Sequence, residues 1–269
     1  MPRLSAVLIT RNEEADIGRA LDAVRFADEI LVVDSGSSDG TVDVCRSRGA
    51  RVLEHRFEGY GPQKRWAVEQ AQHDWVLCLD ADEVPTPELV GAMRELMAGE
   101  PPFPAYRLTF HTVFMGRPLR RGAIGRRGHV RLFDRRRARW TEARVHEAVQ
   151  VDGPIGSLAG VVRHYNVRDL SEAVAKLDVY SRMGAEELVR RGRRPRGTAA
   201  LLALTPYHFL RHWLLNGNVL NGLAGFAWAF MLTATSMMKH LKVRELEGRA
   251  GVRAAAPRPE PDQALRTPP

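Results

Sequence analysis

Cysteine is almost absent from this 269-residue chain. Cys45 and Cys78 are its two, far apart, without a CxxC partner and each inside an apolar-patterned segment. That excludes a disulfide framework and a cysteine-based zinc site, and predicts buried thiols of a reduced compartment. Glycine-rich phosphate loops are missing too. No GxGxxG follows the first apolar run and no GxxxxGK[ST] occurs, which disfavours a Rossmann dinucleotide site and a P-loop. A cleavable signal pattern is lacking where the amino terminus enters a strand-like run at Leu4, so the catalytic part is expected in the cytosol. Acids are scarce in one segment. From Arg117 to Arg144, eleven arginines face only Asp134 and Glu142.

The formal net charge of +8 favours an anionic partner: nucleotide, phosphorylated glycan, membrane surface or nucleic acid. The alternative for any arginine run, including the second cluster Arg190–Arg196, is a solvated face. The basic clusters lack the regular aromatic interleaving of a single-strand platform, so no nucleic-acid partner is expected.

With 44% apolar residues, the chain can build one large domain or two smaller lobes. Ala6–Ile9, Ile30–Val33, the weaker Val52–Leu53 and Trp75–Leu79 are apolar runs that read as strands. Helical patterns separate them: Ile17, Leu21 and Val24 on one inner face, Thr41–Arg48 stopped by Gly49, and a helix opened by Pro62. Such alternation predicts a parallel sheet with right-handed crossovers. Two of the strand ends carry acids, Asp34 on one and Asp80, Asp82 and Glu83 on the other. Ligands bind at that end of an open parallel sheet. Two carboxylates one residue apart suit a hard divalent cation, Mg²⁺ or Mn²⁺, shared with substrate phosphates. The competing reading is an acidic turn before a helix starting at Thr86-Pro87-Glu88.

After the linker Pro101–Pro104 the pattern changes. Tyr106, Leu108 and Phe110 alternate with polar residues as a half-buried strand. Short strands are expected at Val130–Phe133, Val149–Val151 and Val161–His164, and a helix from Asp169 to about Arg191. Between Trp213 and Met238 there is no formal charge, although Asn216, Gly217, Asn218, Asn221, Gly222 and Gly225 interrupt the first half. Two interfacial helices flanked by basic residues are the preferred reading, over a spanning helix or buried core. The Pro-, Ala- and Arg-rich stretch from Gly248 is expected to be disordered.

The motifs Leu8-Ile9-Thr10-Arg11-Asn12-Glu13, Val32-Val33-Asp34-Ser35-Gly36-Ser37-Ser38-Asp39-Gly40-Thr41, Gly61-Pro62-Gln63-Lys64, Leu79-Asp80-Ala81-Asp82-Glu83, Arg131-Leu132-Phe133 and Val145-His146-Glu147 resemble those of family 2 glycosyltransferases. Within that family the chain is similar to the lipopolysaccharide core β-1,4-glucosyltransferase group. The resemblance implies a GT-A α/β fold: a Rossmann-like, mostly parallel sheet, a mixed-sheet acceptor half and carboxyl-terminal membrane-associating helices. It divides the chain into a nucleotide-sugar-binding half at 1–100, an acceptor-binding half at 101–195, apolar helices at 196–245 and a tail at 246–269.

By the resemblance, Thr10, Asn12, Glu13, Asp34, Gln63, Lys64 and Asp80 contact the nucleotide sugar, with Lys64 toward a phosphate. Asp82, assisted by Asp80, holds the cation. Many members carry a second acid after the residue matching Asp34; this chain has Ser35. Glu147 is the candidate base, Glu142 the alternative and Asp134 a poorer one, with His146 orienting acceptor or phosphate. The competing reading of Glu147 is a cross-strand partner for a nearby arginine. Arg126, Arg127 and Arg131 are expected at the acceptor. His129 and His164 have no metal-ligand spacing with His146, so zinc is not expected. The implied activity is inverting transfer from a UDP-sugar, glucose above all, to a lipid-linked glycan at the cytoplasmic face of the inner membrane, by a peripheral or monotopic protein. A polyprenyl-phosphate glycosyltransferase and a non-catalytic nucleotide-sugar or nucleic-acid binding protein are the alternatives.

Overall fold

The computed structural model describes residues 1–126, 128–143, 147–165, 167–193 and 196–255, with side chains except those of Arg126 and 248–255. The first half alternates as its apolar periods require: β1 (Leu4–Thr10), α1 (Ile17–Ala23), β2 (Glu29–Asp34), α2 (Thr41–Ser47), β3 (Arg51–Glu54), α3 (Tyr60–Glu69) and β4 (Trp75–Asp80). Helix α3 starts at Tyr60, ahead of Pro62. Proline is tolerated in a first turn because its missing N–H has no helical partner there. The short β5 (Glu83–Pro85), not expected from the sequence, precedes α4 (Pro87–Ala98). Then follow β6 (Ala105–Phe114), β7 (Arg117–Pro118), β8 (Gly128–Asp134), β9 (Ala138–Trp140), β10 (Val149–Val151) and β11 (Ile155–His164).

The sheet order is β3-β2-β1-β4-β8-β6-β11-β5, with β7 beside β6 and β9–β10 a separate ribbon. Strands β3, β2, β1 and β4 are parallel, β8 is antiparallel to both neighbours, β11 is parallel to β6, and β5 antiparallel to β11. The central strands read as continuous apolar runs because both faces are covered. Leu77 and Leu79 join Ile17, Leu21, Leu89 and Met93 on one face, while Val76 and Cys78 join Ala67, Val68 and Phe133 on the other. Each fully buried leucine there contributes about 1.5–3 kcal/mol. Both cysteines are free and buried, and burial pushes the Cys78 thiol up to about 12.

The amino-terminal edge of the sheet is locked by one carboxylate. Glu29 accepts hydrogen bonds from Ser5 Oγ at 2.5 Å, Gln72 N at 2.7 Å and Arg51 Nη2 at 2.6 Å. Burial works to raise its pKa, but these donors prevail and lower it below the ordinary 4.5. A depressed folded pKa contributes stability that is complete above the unfolded value and is lost as pH falls through the folded one. Glu29→Gln is therefore expected to cost about 1–3 kcal/mol at pH 7. Urea titrations should show the difference from the parent shrinking below the ordinary carboxylate range.

Two compact units emerge, Met1–Asp169 with Asn216–Phe226, and Leu170–Leu215 with Ala227–Pro269. The first holds the whole sheet. The second contains α5 (Leu170–Arg190), α6 (Thr198–Leu210) and most of α7 (Gly222–Ala255). This division falls at Asp169, where the sequence led to an expected boundary near 195. Helix α5 belongs with α7, because Lys242 Nζ bonds Asp178 Oδ1 at 2.7 Å and Gly184 leaves room for the Lys239 side chain. Helix α7 also continues to Ala255, into the segment expected as a tail.

Candidate active site

Register brings the acids to the same edge of the sheet. Thr10 pairs with Asp34 across β1–β2, and Ile9 with Asp80 across β1–β4, so both carboxylates sit at the carboxyl edge, on the two parallel strands that flank β1. The loops after β1 and β2 are pinned to each other. Asn12 takes a left-handed φ of 54°, a conformation asparagine tolerates. Its Oδ1 accepts Ser38 N at 2.8 Å, its N donates to Ser37 Oγ at 2.9 Å, and Glu13 N donates to Thr41 Oγ1 at 2.8 Å. Asp34 Oδ2 accepts Gly36 N at 2.9 Å and Ser37 N at 2.8 Å, shaping its own loop. Asp39 Oδ1 accepts Thr41 N, the turn chemistry its Ser/Gly setting favours.

Below these loops lies a buried charged array. Gly61 lets α3 approach: an added Cβ would lie 2.4 Å from both Thr141 O and Ala143 O. The close fit seats Lys64, 1% exposed, between two acids. Its Nζ lies 3.0 Å from Asp80 Oδ1 and 2.8 Å from Glu147 Oε1, and 5.1 Å from the Trp140 ring centroid. Arg131 Nη2 reaches Glu83 Oε1 at 3.0 Å and Asp80 Oδ2 at 3.4 Å. Glu83 Oε2 accepts Asp80 N at 3.0 Å, bracing the turn from beneath. Burial tends to raise the Asp80 carboxyl, but the Lys64 and Arg131 charges overcome it and hold the group at about 2. Burial raises Glu83, with Arg131 opposing. For Lys64, burial is outweighed by Asp80 and the pKa rises.

The other expected site residues lie as follows. Arg131, expected at the acceptor, is buried against Glu83 and Asp80, where burial would otherwise leave those acids unpaired. Lys64, expected toward a phosphate, is committed to Asp80 and Glu147. Glu142, the alternative base, has a side chain 80% exposed and bound to Arg65 at 2.7 Å. Asp134 pairs with Trp75, at the opposite end of β4 from Asp80, and bonds Arg136. Gln63 is fully buried and knits Ser35 Oγ, at 3.0 Å, to His55. Arg127 and His146, and the side chain of Arg126, lie outside the described residues.

The sequence reading missed His164. At the end of β11, its Nε2 stands 3.2 Å from Asp82 Oδ2, and the next residue's N donates to Asp82 O at 2.9 Å. Burial would lower the imidazole's pKa, but the Asp82 hydrogen bond and charge raise it. Asp82, His164 and Asp80 offer oxygen and imidazole donors suited to a divalent cation. Among the described residues no group of three or more His, Cys, Asp or Glu side chains is arranged to hold a metal ion by itself. Shared coordination with phosphates is the arrangement such a donor set fits. Buried polar atoms without a hydrogen-bond partner also lie here: Thr10 Oγ1, Arg131 Nε and Trp140 Nε1. Buried polar atoms are rarely left unpaired, and a polar ligand at these strand ends would supply partners.

The sequence profile described as "Glycosyl transferase family 2" matches residues 5–149. The chain belongs to this family. As a family 2 glycosyltransferase it is an enzyme, and its curled, mostly parallel sheet is that of the GT-A fold. It is 31% identical over 256 residues to the lipopolysaccharide core biosynthesis glycosyltransferase LpsC of Rhizobium meliloti, covering 90% of this chain and 94% of that protein. A glycosyltransferase of Rickettsia typhi is 29% identical, over 91% of this chain and 88% of its own. Among solved structures, residues 1–349 of S. aureus TarS align over 92% of each chain at 16% identity, with a TM-score of 0.46.

Proposed function

We propose that this glycosyltransferase moves a hexose, glucose foremost, from a UDP-sugar to a lipid-linked glycan of the lipopolysaccharide-core type, with inversion. The observation carrying the proposal is the pair of acids, Asp34 and Asp80, at the carboxyl ends of the two strands flanking β1, with Asp82 just beyond the second. The similarity to LpsC supports the acceptor class. Residues Thr10, Asn12, Glu13 and Asp34 form the wall for base and ribose. Asp82, with Asp80 and His164 in reach, would hold Mg²⁺ or Mn²⁺, which supplies countercharge to the departing diphosphate.

The acceptor oxygen attacks the anomeric carbon as the bond to the diphosphate oxygen breaks. UDP departs with the electron pair, and the acceptor's hydroxyl proton passes to Glu147. Lys64 ties Glu147 to Asp80, so one buried ammonium positions the base relative to the donor side. The membrane surface enters through the exposed apolar residues of α6 and α7, among them Leu202, Leu210, Phe226 and Phe230. Residues Asn218–Glu247 are long and apolar enough to cross a membrane by length and composition. Large exposed apolar side chains of this kind suit a contact surface, and the proposed contact is the cytoplasmic face of the inner membrane.

Glu147→Gln is expected to lower kcat for glycolipid glycosylation by about 10²–10⁴-fold. Glu142→Gln should stay within a factor of about three, since its carboxylate is a surface partner of Arg65. Chelating divalent cations should stop transfer, and adding Mg²⁺ or Mn²⁺ should restore it. A Glu142→Gln variant as impaired as Glu147→Gln would overturn the assignment of the base. Activity untouched by chelation would overturn the role of the cation.

A further inference from the structure

A second feature of the carboxyl edge is not used by the donor site. A cleft of about 600 Å³ opens beside the ends of β6 and β11, lined by Arg19, Arg120, Arg163, Arg168 and Tyr165 with Asp16. This is within the size range of small-molecule sites, about 300–1,000 Å³. It adjoins the proposed reaction centre, for Tyr165 N bonds Asp82 O and the preceding residue, His164, bonds the Asp82 carboxylate.

Its charges do not balance. Asp16, 4% exposed, pairs with Arg19 and with Arg168 Nε at 2.6 Å, and Arg19 also lies over the Tyr165 ring at 4.2 Å. Glu13 stands 4.0 Å from Arg168. Arg120 and Arg163 are exposed and have no acidic partner among the described residues. Both act on one point: His111, the register partner of Arg163, has its pKa lowered by burial and also by these two guanidiniums, against a hydrogen bond that its ring donates to the Gly125 backbone. Like charges held together cost stability unless a ligand neutralises them. Arginine forks match oxyanions bidentately, and a phosphoryl group offers more charge and more acceptor oxygens than a carboxylate.

We infer that the Arg19–Arg120–Arg163–Arg168 cleft binds a phosphoryl group borne by the glycan that accepts the sugar. The inference rests on the reading of the acceptor as a lipid-linked glycan. It moves acceptor recognition from Arg131, which is buried, to residues on α1, on β11 and after β7.

The test is binding of the full-length protein in detergent to a phosphorylated core glycolipid, to the same glycolipid stripped of phosphate by hydrofluoric acid, and to phosphatidylglycerol in matching micelles. Dephosphorylation should weaken wild-type binding by about tenfold or more. The Arg120→Gln/Arg163→Gln double variant should bind both glycolipid forms equally and weakly. Circular dichroism would verify its fold, which exposed side chains without acidic partners should not disturb. Equal wild-type affinity for the two glycolipid forms would overturn the inference, as would a double variant that still discriminates. Competition by phosphatidylglycerol as strong as by the glycolipid would assign the cleft to lipid headgroups instead, and overturn it too. Sugar transfer is scored separately. Phosphate-dependent binding without transfer counts against the proposed reaction and leaves the cleft assigned; transfer without phosphate-dependent binding does the reverse.

Discussion

Asp82→Ala is expected to lower sugar transfer by about three orders of magnitude or more, because it removes the acid proposed to hold the cation against the leaving diphosphate. The fold should survive. Only the side-chain contact to His164 at 3.2 Å is lost, while the backbone bond from Tyr165 to Asp82 O remains. A part-exposed pair of this kind contributes about 1 kcal/mol or less. Steady-state UDP release beside a urea unfolding curve checks both halves of the prediction. Wild-type turnover in a folded Asp82→Ala protein would remove Asp82 from the mechanism.

Lys64→Met is expected to fail in both stability and activity. It leaves Asp80 and Glu147 facing each other in a mostly buried site without the ammonium between them. Removing one member of a buried ionic array costs about 3–5 kcal/mol, through the partners left uncompensated. Adding Asp80→Asn and Glu147→Gln to Lys64→Met should restore much of that stability, since the unpaired charges are then gone. Activity should not return. Denaturant midpoints for the single and triple variants give the measurement. A Lys64→Met protein as stable as the parent would mean the array is solvated and Lys64 does not position Glu147.

Much of the fold was legible because of where its strands lie. Strands β1, β2 and β4 are covered on both faces, so they read as apolar runs, and the acids ending them stood out as breaks in that pattern. Strand β5 is three residues long and has no period to detect. The length of β11 was hidden by glycines and by a register shift between Ser157 and Val161. Gly160 there has φ +87°, and a Cβ would lie 2.4 Å from Leu89 N, so the interruption belongs to the packing of α4.

The site was legible only where its residues are close in sequence. Lys64 and Glu147 are separated by 83 positions and meet through the fit of Gly61 against the chain at 141–143. No local pattern announces that contact. Arg131 sits in an arginine run whose two readings are an acceptor site and a solvated face; its burial depends on Glu83, 48 positions away in sequence. His164 lacked metal-ligand spacing because its partner Asp82 belongs to a distant strand end. In each case the missing information was tertiary.

The claim at the centre of this account is that the carboxyl edge around Asp80 and Asp82 transfers one sugar from a nucleoside diphosphate sugar to a glycolipid. Mass spectrometry of the core glycolipid tests it most directly, after incubation with purified protein, UDP-glucose and Mg²⁺. The account predicts a mass increment of one hexose, matched by stoichiometric UDP and absent with Asp82→Ala. An unmodified glycolipid with every UDP-hexose tried, or the same increment from Asp82→Ala, would contradict it.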